Sequence, residues 1–436
     1  MNKISKVIKE NKWRLHVVNT DKFKMSRFSV NFILPKDMVR SPMTKLMLSV
    51  MMRGSENYPT ITHINRKLDE LYDTTVSLRN MSFGDKCIFQ ISCKVLNNKY
   101  RLAGDECDIL AEVLAVLSDI LYHPLKDGDG LLLSQYVESE RKIMVDAINS
   151  RINDQRAYAA RQCNKLMFEG TPYAISVGGE LDTVSSFTPK QLTENIERFF
   201  DDARVECYYV GNESAEHIHS LLVEHFDFPN STEKIFTYGE KPFESNRSDI
   251  QMKNEDMDVS QGRLEIGYRC GTVLSDKEYA AMALFNEIWG GSSVSKLFMN
   301  VRERKSLCYY CYSSYHSATG TINVGCGIKP ENYGVAMDEI SRQLDEIKMG
   351  RFTDEEMLTS KRTVISGYKQ ITDSAAGMEG FYLRRTVADV EYSPKDCISF
   401  IEDVKREDIV AAANRVCMDT VYFINGIADE EELENE

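Results

Sequence analysis

A guanidinium and a phenol stand seven residues apart in the segment Ser295 to Tyr309, which reads SKLFMNVRERKSLCY. Arg302 offers a planar fork of N–H donors and Tyr309 a single O–H, a pair suited to gripping peptide carbonyls. Plain structure accounts for the same residues too: an arginine favours the negative end of a helix dipole, and a tyrosine suits a core strand. Leu297, Phe298 and Val301 have the apolar spacing of a helix, which ends near Lys305. Cys308 to Tyr315, aromatic and rich in short side chains, follows as a strand. Arg302 then falls at a helix end and Tyr309 at a strand start, where both could point into one cleft.

The remaining reactive residues gather less well. His217, His219 and His225 lie on one helix, but Glu224-His225 would need a histidine at position 221, which is Leu221. His219 and His225 face different sides of that helix. His16, His63, His123 and His316 stand alone. The eleven cysteines run from Cys87 to Cys417, and most alternate with apolar residues as buried thiols do in a reducing compartment. Cys308-x-x-Cys311 is the one close pair. A zinc site there would want a second pair or more histidines than His316. Gly290-Gly291 reads as a helix cap or a substrate-facing loop. Nucleophile-elbow, phosphate-loop and dinucleotide fingerprints are absent.

The elements that must position these residues form two series. The chain of 436 residues is long for one domain, and its 42% hydrophobic and 28% charged residues are ordinary for a globular protein. Strands are expected over Trp13–Asn19 and Arg27–Leu34. A helix opens near Pro42 and closes at Gly54, and a second covers Ile61–Leu71. Thr74–Met81 and Lys86–Val95 pair as strands. Helices follow over Asp108–Tyr122, over a long span from Ser134 to Phe168, and from Thr188. Arg204–Val210 is a strand and Ala215–His225 a helix. After a polar stretch the order restarts with a strand at Leu264–Cys270 and a helix over Asp276–Trp289. It continues through the pair Cys308–Tyr315 and Thr321–Ile328, helices from Asn332, Thr353 and Arg406, and a closing strand at Thr420–Asn425. Gly54-Ser55 matches Gly291-Ser292, and Tyr72 matches Tyr309, all offset by 237. The repeated order points to a duplicated α+β unit: a mostly antiparallel sheet with helices on one face. The expected domains are 1–226 and 263–436, joined by a linker over 227–262. The acidic tail after Ala428 reads as solvated.

The net charge of −14 argues against a nucleic-acid backbone as partner. No apolar run reaches membrane-spanning length, and the N-terminus lacks a signal-peptide core, so the expected location is the cytoplasm with no membrane partner.

The run Leu-x-x-x-Val-Arg-Glu-Arg-x-x-Leu-x-Tyr resembles the arginine–tyrosine segment of the pitrilysin/insulinase-type (inverzincin) zinc peptidases. This family includes the mitochondrial processing peptidases and their two-chain bacterial relatives. Arg53-Gly54-Ser55, Thr171-Pro172-Tyr173 through Gly178, and Asp419-Thr-Val-Tyr-Phe423 extend the likeness over nearly the whole chain. The resemblance implies a duplicated clamshell half, with Arg302 and Tyr309 binding the substrate backbone.

It also implies where zinc would sit, and there the sequence departs. The family's His-x-x-Glu-His helix pairs two histidines one turn apart with a general-base glutamate. Aligned through Arg53-Gly54-Ser55, those positions are Lys45, Leu48 and Ser49. The third ligand, seven residues after the glutamate of Glu140-Arg141, is Ala147; Asp146 lies about 100° round the helix. The expectation is therefore a chain with no cofactor of its own. It would be the zinc-free subunit of a heterodimeric metallopeptidase, lending Arg302 and Tyr309 to a peptide at the zinc of a His-x-x-Glu-His-bearing partner. The alternative is a non-enzymatic scaffold or peptide-binding subunit.

Overall fold

The computed structural model describes residues 4, 6–10, 13–228, 238–245 and 247–426. The first series contains β1 (Lys6–Lys9), β2 (Trp13–Asn19), β3 (Met25–Pro35), α1 (Arg40–Met51), α2 (Ile61–Glu70), β4 (Thr75–Phe83) and β5 (Lys86–Leu96). It continues with α3 (Ile109–Tyr122), α4 (Ser134–Asn149), α5 (Gln155–Met167), α6 (Leu181–Ser185), α7 (Pro189–Asp202), β6 (Arg204–Gly211) and α8 (Ala215–His225). The second contains β7 (Gln251–Met257), β8 (Gly262–Arg269), α9 (Tyr279–Asn286), β9 (Cys308–His316), β10 (Thr321–Ile328) and α10 (Tyr333–Lys348). It closes with α11 (Asp354–Gln370), α12 (Ala375–Ala388), α13 (Pro394–Asp403), α14 (Arg406–Asn414) and β11 (Cys417–Gly426).

The strand orders show the duplication directly. One sheet runs β1-β2-β6-β3-β5-β4 and the other β7-β11-β8-β10-β9. Without β1 the two orders are the same. In each, the last strand of the series makes the one parallel pair (β6 with β2, β11 with β7), and the other pairs are antiparallel. The fold is thus α+β with two mixed sheets covered by helices.

Among the described residues, the chain divides into two compact units. One draws on residues 1–149, 175–237 and 371–384, the other on 150–174, 238–370 and 385–436. Of the span 227–262, residues 229–237 and 246 lie outside the described residues, and Gln251–Met257 is β7. The acidic tail also lies outside them.

In the first unit, alternate residues of β3 and β5 (Phe28, Val30, Phe32; Phe89, Ile91, Cys93) enter one core with residues of α1, α3 and α7. α7 starts as its sequence dictates: Thr188 and Gln191 form a reciprocal capping box, with Pro189 in the first turn. In the second unit, Leu264 and Ile266 of β8 pack with Trp289, Leu297, Val301 and Ile340.

The opposite face of each sheet takes a single helix from the other series. The helix expected over 134–168 breaks at Ser150–Asn153, where Asp154 caps a new helix by accepting from the Ala157 N–H at 3.0 Å. The new helix, α5, belongs to the second unit. There the Cys163 thiol donates to the Glu265 carbonyl at 3.7 Å, and a Cβ on Gly267 would come within 2.7 Å of the Met167 sulfur. The helix from Thr353 breaks likewise at Ile371–Asp373, and residues 371–384 join the first unit. Glu379 lies under that first sheet, paired with Arg27 and accepting from Ser29 and from Gln90, the last at 2.7 Å. No helix among the described residues is long and apolar enough to cross a membrane.

Candidate functional site

Arg302 lies in a wide π-helical turn, Phe298–Arg304, a variant of helix that often marks functional sites. Leu297 and Val301 anchor the turn in the core. Its end is held by buried Glu339 of α10, which accepts from Lys305 at 2.6 Å, Arg342 at 2.5 Å and Gln343 at 2.6 Å. Burial opposes ionisation of Glu339, but those hydrogen bonds win and hold its carboxyl down to about 2. Ser306 then turns the chain in the left-handed conformation (φ 49°), and the Leu307 N–H returns to the Val301 carbonyl at 3.1 Å. β9 begins two residues later. The expected join of helix and strand is thus present.

Both candidate side chains reach solvent. The Arg302 side chain is 39% exposed; its guanidinium lies 4.5 Å from the Phe298 ring and 3.5 Å from the Glu303 carboxylate. Tyr309 is 65% exposed and its hydroxyl has no hydrogen bond among the described residues. Its placement comes from an irregularity that the sequence does not announce. In the β9–β10 pairing Tyr310 faces Gly327, but Cys308 faces Ile328, so Tyr309 is an extra, bulged residue. Tyr72, its counterpart by offset, instead sits in a left-handed turn before β4 and bonds Asp105.

Behind Tyr309, the strand is fixed on both faces. On the core side the Ser313 hydroxyl donates to Asn286 Oδ1 at 2.9 Å, and Gly290 passes so close that a Cβ there would lie 2.4 Å from the Ser313 nitrogen. The sequence left Gly290 as a cap or a substrate loop; it is a close-packing residue. Gly290→Ala is expected to cost about 2 kcal/mol in chemical unfolding through this backbone overlap. On the other side Arg156 of α5 stacks over Tyr310 at 4.6 Å and Tyr312 at 4.3 Å.

Beside that stack lies buried Glu265, whose Oε2 has no partner among the described residues. Burial pushes its carboxyl up to about 8 from the ordinary 4.5, against the opposing pull of Arg156. The folded chain therefore keeps a proton that the unfolded chain releases near 4.5. The resulting stability is complete below that pH and is lost as pH rises through 8, with a ceiling of about 5 kcal/mol. Glu265→Gln should flatten the fall in melting temperature between pH 5 and pH 9 (~4 pH units of titration), and should stabilise the alkaline form.

The metal positions occupy α1 and α4 of the first unit, which pack together. Arg53 at the end of α1 pairs with Glu140 of α4 at 3.3 Å, which ties the two helices together. The residues at the metal positions are a lysine, a buried leucine, a serine and an exposed alanine at 45, 48, 49 and 147. Leucine and alanine carry no ligand atom, and a lysine ammonium repels a cation, so zinc does not fit. Among the described residues no group of three histidine, cysteine or acidic side chains could hold a metal. Two of the three histidines of α8 have single partners: His217 meets Asp108 at 2.8 Å, and His219 meets Glu10 at 3.0 Å. A cavity of about 820 Å³ in the second unit, lined by Tyr279, Tyr368, Arg385, Tyr392 and Phe400 among others, includes neither Arg302 nor Tyr309.

Residues 186–364 match the profile described as the peptidase M16 inactive domain. The chain is 30% identical over 417 residues to the probable inactive metalloprotease YmfF of Bacillus subtilis (strain 168), covering 94% of this chain and 95% of that protein. A conserved protein of Enterococcus faecalis V583 superposes with a TM-score of 0.89 at 24% identity, over 96% of this chain and 98% of that one. A peptidase M16 inactive domain of Pseudomonas fluorescens superposes with a TM-score of 0.76 at 18% identity, over 97% and 98%. The chain belongs to the M16 (pitrilysin) peptidase family, among its inactive members.

Proposed function

We propose that this chain is the zinc-free subunit of a two-chain cytoplasmic metallopeptidase. Arg302 and Tyr309 would bind the backbone of a peptide held at the zinc of a homologous His-x-x-Glu-His-bearing partner. The observation that carries this reading is an asymmetry between the two units. All four metal-site positions have lost their chemistry (Lys45, Leu48, Ser49, Ala147), while Arg302 and Tyr309 remain and present their polar ends to solvent. An exposed phenol without a hydrogen bond contributes little to its own fold, and donors fixed in advance are what carbonyl recognition needs. Arg302 would clamp a carbonyl or carboxylate with its fork; Tyr309 would add one donor.

The test mixes the purified chain with a zinc-bearing relative, first one encoded in a neighbouring reading frame, and assays cleavage of unstructured peptides. Cleavage should require both chains. Full activity of the relative alone, unaltered by this chain, would remove the composite-site reading. The Arg53–Glu140 pair favours a second reading, since it maintains the metal-side helices with no metal to serve. On that reading the chain is a scaffold or peptide-binding subunit that supports a partner without helping hydrolysis.

A further inference from the structure

Three thiols meet on the core face of the strand that carries Tyr309. Cys311 of β9 and Cys326 of β10 are direct cross-strand partners, and both are buried in one core. Such partners have Cα atoms about 4.5–5.5 Å apart, inside the range that a disulfide spans. Regular alternation would turn Cys308 to the opposite face from Cys311. The bulge at Tyr309 reverses this: Cys308 faces Ile328, a core residue, and joins the same face as Cys311 and Cys326. That register places Cys308 beside both, and the three thiols influence one another's ionisation. The irregularity that pushes Tyr309 outward thus also brings Cys308 inward. Cys308 is the half-exposed member of the trio, and the other two are enclosed.

We propose that these residues form an oxidation site for hydrogen peroxide, with Cys308 as the entry point and the Cys311–Cys326 pair as the store. The neighbouring Cys311 and Cys326 thiols, assisted by the nearby positive charge of Arg302, hold the Cys308 thiol below its ordinary value. A thiolate with a route to solvent is the attacking species in such chemistry. The Cys308 sulfur attacks one peroxide oxygen; the O–O bond breaks and hydroxide leaves, becoming water and leaving a sulfenic acid. The Cys311 sulfur then attacks the Cys308 sulfur. An S–S bond forms, the S–O bond breaks, and the hydroxide takes the Cys311 proton to give a second water. Cys326 next attacks the Cys311 sulfur, its proton passing to the departing Cys308. One peroxide and two thiols thus become one disulfide and two waters. The exchange runs toward Cys311–Cys326 because direct partners suit disulfide geometry, whereas Cys308 sits one register step away.

The test uses the full chain with Cys417→Ser, which removes an exposed competitor. After peroxide treatment, free thiols are capped with N-ethylmaleimide. The chain is cut after tyrosine, which separates the three cysteines, and the fragments are weighed. The expected result is a disulfide joining the Cys311 and Cys326 fragments, with Cys308 capped. Cys308→Ser should slow its formation at least tenfold. Selective alkylation of Cys308 in the folded chain should do the same without a substitution. Cys326→Ser should stop the sequence at a Cys308 sulfenic acid, detectable with dimedone, or at a Cys308–Cys311 disulfide. Three capped thiols after peroxide, overoxidation of Cys308 without a disulfide, or an undiminished rate when Cys308 is blocked would each overturn the proposal. The readout involves thiols alone, so it stands or falls apart from peptide cleavage.

Discussion

Arg302→Ala is expected to lower kcat/KM of the paired peptidase about a hundredfold, and Tyr309→Phe about tenfold. The difference follows from the groups removed. Arginine supplies charge and two parallel donors, and charge-assisted hydrogen bonds are about twice as strong as neutral ones. Phenylalanine in place of Tyr309 loses one neutral hydrogen bond and keeps the ring. Neither change should disturb the fold, because Arg302 is part-exposed and its ion pair is to the exposed Glu303, and Tyr309 is bulged into solvent. Melting temperature, complex formation and the zinc content of the partner should therefore stay level while turnover falls. A scaffold predicts the opposite pattern, with wild-type rates in both variants. Assays of rate, zinc and association on the same samples decide between them.

Glu379→Ala is expected to cost the first unit about 3–5 kcal/mol, read as a lower midpoint of urea unfolding. Glu379 is 2% exposed and lies under the first sheet. Its removal leaves the Arg27 guanidinium with Gln90 Oε1 at 3.3 Å as its remaining hydrogen bond, and strips an acceptor from Ser29. A buried cation without its counter-charge costs far more than the pair itself contributes. The double change Arg27→Leu with Glu379→Leu should accordingly recover much of the loss. Recovery no better than the single variant would show that packing, not charge, sets the effect.

What the sequence made legible was local or repeated. The spacing of Leu297, Phe298 and Val301, and the aromatic run after Cys308, located the helix–strand join that bears Arg302 and Tyr309. Gly54 and Gly291, with the repeated order of elements, disclosed a duplication that the strand orders match. The absent metal ligands were legible because a ligand set is a list of residue types. What stayed hidden depends on partners distant in sequence. β7 has no apolar alternation, since an edge strand largely open to solvent needs none. Asp154 looked like one polar residue in a long helical pattern, yet it caps the helix that goes to the second sheet. The bulge at Tyr309 and the approach of Cys326 to Cys308 and Cys311 arise from register, which one strand's own residues do not encode.

The exchange of single helices between the series bears on how this protein is born. As the chain leaves the ribosome, the first sheet is complete in strands once β6 has emerged, but Glu379 is still far from being translated. Until then the Ser29 hydroxyl and Arg27 Nε lack the acceptor that Glu379 later supplies, and a nascent chain must hold that underside open to water or to a chaperone. A gene cut at its apparent midpoint would yield two fragments, each with one sheet face bare and one helix with nowhere to go.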